Sequence, residues 1–533
     1  MSAPYRILFA DAIAPEGLEA LRTDDRFELV EQPGLTGEDL ARAIEGVDAV
    51  IVRSATRITR SALQYADRLK VIGRAGVGVD NIDVEAATER GIAVLNAPSG
   101  NTISAAELTL ALLLAAVRGV SAADRSMKSG EWDRKSFNGR ELYGKTLGLV
   151  GAGRIGGEVA KRARAFGMRV VAYDPFLAPE RARELEIELE PLEEVLRRAD
   201  VVTLHVPLTE STAGLIDENR LALMKRGAYL VNACRGGVVD EAALLRALET
   251  GRLAGAALDV FETEPLPPAD PLRRAANVVL TPHLGAATKE AQQNVAVEIG
   301  LAVRDALLEG DYSRAVNAPA IGGEEMRRLR PLLELAERLG RLAAACSDGA
   351  VQTVEVRYAG SMEAAERPVT SAALVGLLRP ALGARGINLV SALHLAQARG
   401  IHVRRTRLDA RGDYGEYVEI QAQMAGCGQS RVAGALLAEG HPRIVMIDDF
   451  PVNVVPSGAL VVLRNRDVPG VIGRVGSLLG DAGINIAEYH QSRMEEGGDA
   501  LAAIRVDGRL PPAVVEALRR VSEVGEVRQV DLS

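Results

Sequence analysis

The chain has 533 residues, 47% apolar and 25% charged, with a formal net charge of −9. That length exceeds a single hydrophobic core and points to three or four units of roughly 100–200 residues each. The acidic balance excludes a binder of the nucleic-acid phosphate backbone, and an aromatic content of 3% excludes stacking platforms for single strands.

Taken in chain order, apolar runs predict a strand over 6–10, a helix over 15–21, strands over 49–52 and 71–74, and a helix over 84–90. Strands alternating with helices imply βαβ units and a parallel sheet. One long helix is predicted over 104–128. A buried strand over 146–150 then runs into a glycine-rich turn, and a helix is expected over 158–166. Further strands are expected over 170–173, 201–205, 229–232, 256–258 and 278–281, which makes a second α/β unit inserted within the first. A helix over 289–309 carries the chain back. Beyond Val316-Asn317-Ala318-Pro319 the pattern changes to helices over 326–345 and 371–385 and strands over 353–358 and 417–423. After Pro456 the chain reads strand, helix, strand, strand, helix, strand, the ferredoxin-like order. The expected units are 1–98 with 284–316, then 99–283, 317–456 and 457–533. The fold class is therefore α/β: two Rossmann-like or flavodoxin-like domains, followed by an α+β domain and a ferredoxin-like one.

Cys234, Cys346 and Cys427 show neither paired spacing nor a metal-ligand pattern, so a reducing compartment and no metal are expected. No leader-like pattern precedes the first strand, and the most apolar helical stretch, 108–117, falls short of the ~20 residues of a membrane span. The expectation is a cytoplasmic protein without membrane contact.

Gly151-Ala152-Gly153-Arg154-Ile155-Gly156 lies between an expected strand and an expected helix. In such a turn Gly151 permits the tight bend, Gly153 lets backbone approach a pyrophosphate, and Gly156 lets helix and strand pack closely. The helix N-terminus offers free N–H groups to phosphates, and Arg154 is placed to join them. Asp174, eighteen positions beyond Gly156, stands where a ribose 2′-hydroxyl is read, and its charge favours NAD over NADP.

Three further segments end strands of the same unit: 231–237 with Arg235, 259–265 with Glu264, and 281–285 with His283. An Arg holds a carboxylate through paired hydrogen bonds and polarises the reacting oxygen. A His takes the hydroxyl proton as hydride leaves, and a neighbouring carboxylate orients the ring and raises its pKa. These residue types suit the oxidation of a small 2-hydroxy acid.

In type and order these motifs resemble the D-isomer-specific 2-hydroxy acid dehydrogenase family, from about Tyr5 to Asn317. The resemblance implies that Arg235, Glu264 and His283 are catalytic. It also implies cofactor contacts at Val77, Ile155, Val206, Pro207, Ala233, Cys234, Arg235, Asp259, His283, Gly285 and Ala286. The segments 52–56 and 73–81 resemble those of members that act on phosphoglycerate. That implies substrate contacts at Arg53, Ser54, Arg74, Gly76, Val77 and Asn101, with Arg134 and Lys135 reaching a neighbouring subunit's site.

The tail resembles an ACT domain through Asn465-Arg466-Asp467-Val468-Pro469-Gly470 and Gly483-Ile484-Asn485-Ile486. The resemblance implies serine as effector, held by Asp467, Asn485 and Asn465, or a dimerisation module without ligand. The stretch 317–456 resembles the extra regulatory domain of the long-form enzymes, with His441, Arg443 and Arg505 as anion candidates. The whole chain thus resembles long-form phosphoglycerate dehydrogenases. That implies a homotetramer oxidising D-3-phosphoglycerate to 3-phosphohydroxypyruvate with NAD, the first committed step of L-serine biosynthesis, with serine feedback. A glycerate, hydroxypyruvate or other D-2-hydroxy acid dehydrogenase, and a non-catalytic NAD-sensing regulator, are the alternatives.

Overall fold

The computed structural model describes residues 3–383, 386–409, 414–426, 428–437 and 440–533. Cys427 and the end of the helix expected over 371–385 lie outside the described residues.

The first sheet holds β1 (Tyr5–Phe9), β2 (Phe27–Glu31), β3 (Ala49–Val52), β4 (Val71–Arg74) and β5 (Ala93–Asn96), all parallel, in the order β2-β1-β3-β4-β5. This is the flavodoxin-like order. All four residues of β3 are buried, because helices cover both faces of the sheet. The helix Lys289–Glu309 returns to this sheet behind β4. Its approach depends on glycine: a Cβ on Gly73 would lie 2.7 Å from the Val303 side chain, and one on Gly300 would lie 2.3 Å from the Gly17 carbonyl oxygen of the helix Pro15–Arg22.

The second sheet holds β6 (Thr146–Val150), β7 (Arg169–Tyr173), β8 (Glu188–Leu189), β9 (Val201–Leu204), β10 (Ala228–Asn232), β11 (Leu253–Leu258) and β12 (Val278–Leu280). Its order, β12-β11-β10-β9-β6-β7-β8, reverses direction between β6 and β9. In an open parallel sheet, ligands bind at the strand carboxyl ends beside such a reversal. The single helix expected over 104–128 is in fact two, Thr102–Arg118 and Val120–Lys128, set 66° apart. Gly119 takes the left-handed conformation at φ 60 and ends the first helix through bonds to Ala115 and Ala116. The first helix buries its Ala/Leu face against the second sheet, whereas the second buries no residue. Among the described residues no single helix is long and apolar enough to cross a membrane; this bent pair passes on length and composition alone.

The third sheet holds β13 (Val351–Ala359), β14 (His402–Arg407), β15 (Glu416–Met424), β16 (Gln429–Leu436), β17 (Pro442–Ile447) and β18 (Phe450–Val454), in the order β14-β13-β15-β16-β17-β18. Only β13 and β14 run parallel. Helices Gly323–Ala345 and Glu366–Leu382 pack on it and on each other. They meet through Gly340 and Gly376, where a Cβ would lie 2.1 Å from the Ala373 carbonyl oxygen and 1.8 Å from that of Glu337.

The fourth sheet is antiparallel, ordered β20-β21-β19-β22, from β19 (Ala459–Arg466), β20 (Ile486–Arg493), β21 (Asp499–Val506) and β22 (Val524–Asp531). Alternation splits its side chains between two cores. Val461, Leu463, Ala502 and Ile504 meet its own helices, while Leu460, Val462, Leu501 and Ala503 join the core of the third sheet. The last two sheets therefore share one core.

Candidate active site

The chain leaves β6 at Gly151, with φ 91, where a Cβ would lie 2.6 Å from the His205 carbonyl oxygen. Gly153 precedes the helix Arg154–Ala165, whose N-terminus has no side-chain cap, and a Cβ on Gly153 would meet nothing within 4 Å. A Cβ on Gly156 would lie 2.2 Å from the Gly151 carbonyl oxygen, so the glycine seats the helix on the strand end. The helix begins at Arg154 rather than at 158 as expected, because Gly156 and Gly157 are already buried in its first turn. Ile155 packs against the core below, and the exposed Arg154 lines a cavity of about 330 Å³ with Asn96, Ser313 and Arg314. Asp174 follows β7; its Oδ2 accepts from the Ala152 N–H at 2.9 Å and its Oδ1 from the Phe176 N–H at 2.9 Å. The carboxylate thus braces the glycine loop itself. Val206 and the exposed Pro207 continue from β9 beside Gly151. Burial pushes the neighbouring His205 down to about 4, and its Nε2 pairs with the Thr203 hydroxyl at 3.0 Å. An open, uncapped helix N-terminus with an acid under the loop fits a dinucleotide.

Asn232 ends β10 and shapes the turn that follows. Its Nδ2 donates to the Arg235 carbonyl oxygen at 2.9 Å, and its Oδ1 accepts from the Cys234 N–H at 3.2 Å. Ala233 and Cys234 are half-buried in this turn, and burial pushes the Cys234 thiol up. Arg235 reaches across to the first unit: its Nε donates to Asp80 Oδ2 at 3.1 Å and its Nη1 to the Cys234 carbonyl oxygen at 2.6 Å.

Asp259, fully buried after β11, organises the next two loops. Its Oδ1 accepts from the Thr281 hydroxyl at 2.6 Å and from the Leu284 N–H at 2.7 Å, and its Oδ2 accepts from the Gly285 N–H at 2.9 Å. Those bonds hold His283 at φ 54, a left-handed conformation uncommon for a side chain of its size, and Ala286 follows half-buried. Glu264 Oε1 accepts from the Phe261 N–H at 3.1 Å, which leaves Oε2 to the His283 Nδ1 at 2.7 Å. The hydrogen bond to Glu264 raises the His283 pKa, against a smaller opposing effect of burial. Burial pushes the Glu264 carboxyl up, but the bonds from His283 and Phe261 with the His283 and Arg235 charges bring it below its ordinary value.

These loops face a cleft of about 910 Å³ between the two α/β units, lined by Ser54, Arg74 and Asp80 on one side and by Arg235, Glu264 and His283 on the other. Asp11 accepts from the Arg53 N–H at 2.5 Å, while the Asn81 amide donates to the Arg53 and Thr56 carbonyl oxygens at 2.7 and 2.6 Å. The 53–56 loop is thereby clamped at both ends. Burial, then repulsion from Arg235, lowers the Arg74 pKa to about 10, and its buried Nε has no partner. Gly76, at φ 150, leaves room for this guanidinium, since a Cβ there would lie 1.4 Å from Arg74 Nη1. The Val77 carbonyl oxygen accepts from the Asn96 amide at 2.7 Å. Asn101 precedes the helix Thr102–Arg118 without capping it, and its buried Oδ1 has no partner. Arg134 and Lys135 are exposed on a separate loop and do not line the cleft of their own chain.

Arg57 and Arg273 also line the cleft but did not emerge from the sequence. Arg57 sits in a loop without periodicity. Arg273 donates from Nε and Nη2 to the Pro267 and Leu266 carbonyl oxygens at 2.9 and 2.6 Å, a role set by a loop conformation.

In the fourth sheet Asn465 is buried and its amide donates to the Arg466 carbonyl oxygen at 2.9 Å. Asp467 accepts from Arg493 at 2.7 Å, which holds its carboxyl below the usual range, and Asn485 donates to Asp507 at 2.8 Å. Arg466 pairs with Asp499 and Ile486 with Val506, so Asp467 and Asn485 stand at opposite ends of the sheet. At ~3.3 Å per residue that is roughly 20 Å, and one chain does not bring the two together. Arg505 bonds Glu488 at 3.3 Å, and Glu488 also accepts from the Val455 N–H. His441 and Arg443 lie at the start of the neighbouring β17, along the same junction of the third and fourth sheets.

Family models match three parts of the chain: the NAD binding domain of D-isomer specific 2-hydroxyacid dehydrogenases over 110–285, the D-3-phosphoglycerate dehydrogenase intervening domain over 328–448, and the ACT domain over 459–523. The D-3-phosphoglycerate dehydrogenase of Methanocaldococcus jannaschii is 42% identical over 99% of this chain and 100% of its own length. That of Bacillus subtilis is 41% identical over the same shares. Among solved structures, the TT0316 protein from Thermus thermophilus covers 58% of this chain and 99% of its own at 42% identity and a TM-score of 0.53. A D-lactate dehydrogenase from Aquifex aeolicus, complexed with NAD and lactic acid, covers 58% of this chain and 98% of its own at 30% identity and a TM-score of 0.51. Matched over nearly its whole length by these relatives, the chain belongs to the D-3-phosphoglycerate dehydrogenase family, as an NAD-dependent dehydrogenase with an intervening and an ACT domain.

Proposed function

We propose that the enzyme oxidises D-3-phosphoglycerate to 3-phosphohydroxypyruvate and thereby opens serine synthesis. The observation that carries this reading is the His283–Glu264 pair at 2.7 Å, which shares one cleft with Arg235 and Arg74. In the proposed mechanism the substrate carboxylate meets Arg235 and the backbone N–H groups of Val77 and Gly78, whereas the Gly76 N–H donates to the Arg74 carbonyl oxygen at 2.8 Å. The phosphate meets Ser54 and Arg74 on the cleft wall, with Arg53 and Asn101, which do not line the cleft, as further proposed contacts. Arg74 keeps its charge at neutral pH even at about 10. His283, whose Nδ1 is committed to Glu264, accepts the hydroxyl proton on Nε2, and Glu264 steadies the imidazolium that results. Gly151, Gly153, Arg154, Ile155, Gly156 and Asp174 would hold NAD, which when bound would supply the hydride acceptor. Val206, Pro207, Ala233, Cys234, Gly285 and Ala286 form the rest of its groove. In the reverse direction His283 returns the proton.

A homotetramer with serine as effector accords with two observations. The helix Val120–Lys128 buries nothing, and nearby Trp132 and Tyr143 are 78% and 79% exposed, which suits a subunit interface delivering Arg134 to a partner's cleft. Asp467 and Asn485, apart in one chain, would meet across an antiparallel pair of ACT units, where serine binding would shift the balance between domain arrangements. The unpaired Cys234 and Cys346 accord with the cytoplasm. The test is NADH formation from D-3-phosphoglycerate and from glycerate, with and without serine. Preference for the phosphorylated acid and inhibition by serine are expected. Equal rates on both acids overturn the substrate assignment, and indifference to serine overturns the effector.

A further inference from the structure

We propose that Asp80 is a positioning residue that holds Arg235 across the cleft, in the orientation needed at the reacting end of the substrate. Asp80 follows β4 in the first unit, and Arg235 follows β10 in the second. Their Oδ2 and Nε atoms lie 3.1 Å apart, so the pair bridges the two α/β units directly. The proposal deepens the functional reading above, since it rests on Arg235 acting there.

A guanidinium carries five N–H donors in a rigid plane. Here Nε–H goes to Asp80 and one Nη1 hydrogen to the Cys234 carbonyl oxygen. Those two bonds fix the plane and leave three N–H donors, one on Nη1 and two on Nη2. Nη2 lies over Gly78, only 2.0 Å from where a Cβ would stand. The same Cβ would lie 2.6 Å from Asp80 Oδ2, so the glycine makes room for both partners. The free Nη2 donors of Arg235 are therefore presented beside Gly78, in the loop where the substrate carboxylate is proposed to bind.

Charge gives a second reason for Asp80. Arg235 and Arg53 lie close enough to Arg74 for their charges to be felt there, and Asp80 acts on Arg74 in the opposite sense. Without Asp80, mutual repulsion among like charges would drive Arg235 outward. Asp80 itself is 67% exposed, and an ion pair that open contributes little to folding stability. Its effect is expected on orientation, where a displacement of about 1 Å is felt strongly in rate.

The experiment compares Asp80→Ala, Asp80→Glu, Gly78→Ala and the Asp80→Ala/Gly78→Ala double variant with the wild type and Arg235→Lys, in the full-length enzyme. Readouts are kcat, KM, the pH profile and NADH affinity by fluorescence. Asp80→Ala is expected to lower kcat by on the order of 10- to 100-fold while leaving NADH affinity within about twofold. Asp80→Glu recovers part of the loss, and the double variant is no worse than the more impaired single one, because both disturb one contact. The acidic limb also moves to higher pH, because Arg235 depresses the His283 pKa and its departure removes that effect. A merely structural role would not move that limb. Unchanged kcat, KM and pH profile in Asp80→Ala overturn the proposal, as does parallel loss of NADH binding. Full activity in Arg235→Lys overturns the active-site reading itself, whereas an inactive Arg235→Lys beside a normal Asp80→Ala overturns only the positioning role.

Discussion

His283 Nδ1 and Glu264 Oε2 lie 2.7 Å apart although they sit on the separate loops that follow β12 and β11. Each residue's loop is held by other bonds: Glu264 by the Phe261 N–H, and the His283 turn by Asp259. The pair raises the His283 pKa and, with its neighbours, lowers that of Glu264.

Oxidation needs neutral His283, so kcat/KM falls as pH drops through its raised pKa. Glu264→Gln removes the largest raising effect, and the acidic limb should move to lower pH, with a smaller maximum. A pH–rate profile of the two enzymes measures both. Stability follows from the same shifts. The His283 contribution is complete below its ordinary value of 6.5 and is lost as pH rises through the raised value. The Glu264 contribution is complete above 4.5 and is lost as pH falls through the lowered value. Both are fully present only between those ordinary values, and Glu264→Gln should flatten the denaturation midpoint on either side.

His283→Ala should reduce kcat by on the order of 10²- to 10⁴-fold, the usual range for a general acid–base group. NADH affinity should stay near that of the wild type. Fluorescence titration beside turnover separates the two effects.

Asp259→Ala should act through the turn rather than on substrate. It strips the Thr281 hydroxyl and the Leu284 and Gly285 N–H groups of their acceptor. Orphaned buried donors cost roughly 1–3 kcal/mol. A lower urea midpoint together with a fall in kcat is the expected result, since relaxation of the turn releases His283 from φ 54.

Gly376→Ala is a test of helix packing. In an exposed helix this change stabilises by about 1 kcal/mol. Here the new Cβ would lie 1.8 Å from the Glu337 carbonyl oxygen, so the two helices must separate. Overpacking of this kind costs typically about 1–3 kcal/mol, and denaturation of the variant should show net destabilisation.

Asp174→Ala removes the acceptor for the Ala152 and Phe176 N–H groups as well as the proposed ribose contact. Bonds to a charged group contribute about 1.5–3 kcal/mol, so the KM for NAD should rise by about tenfold or more. NADP should gain little, because the new residue offers the 2′-phosphate no cation. Initial rates with both cofactors decide this.

Local pattern made much of the architecture legible. Strands with covered faces appear as short apolar runs, and β3 and β4 lie where those runs stand. The glycines at 151, 153 and 156 mark a turn whose geometry depends on residues close in sequence, so their spacing alone reveals it. The break within 104–128 is not legible, because a lone glycine is tolerated inside a helical pattern, and only the left-handed backbone at Gly119 shows that the first helix ends there. The edge strand β14, with sequence HVRRTR, lacks an apolar alternation because its charges face solvent. β2, β5, β16, β17 and β18 are likewise not among the expected strands, although turn residues flank several of them: Pro33-Gly34 after β2, Gly91 before β5 and Gly440 before β17.

By itself the sequence determined the alternation of strands and helices around the glycine turn, that turn itself and the residue types that can carry hydride chemistry. Tertiary structure alone decided which of them meet. Asp80 and Arg235 are 155 positions apart, Gly17 and Gly300 cross on different helices, and the last two sheets pool their apolar faces in one core. The reason is physical: periodicity records which face of an element avoids water, whereas contacts between distant elements depend on close packing and on closure of the chain, which no local pattern encodes.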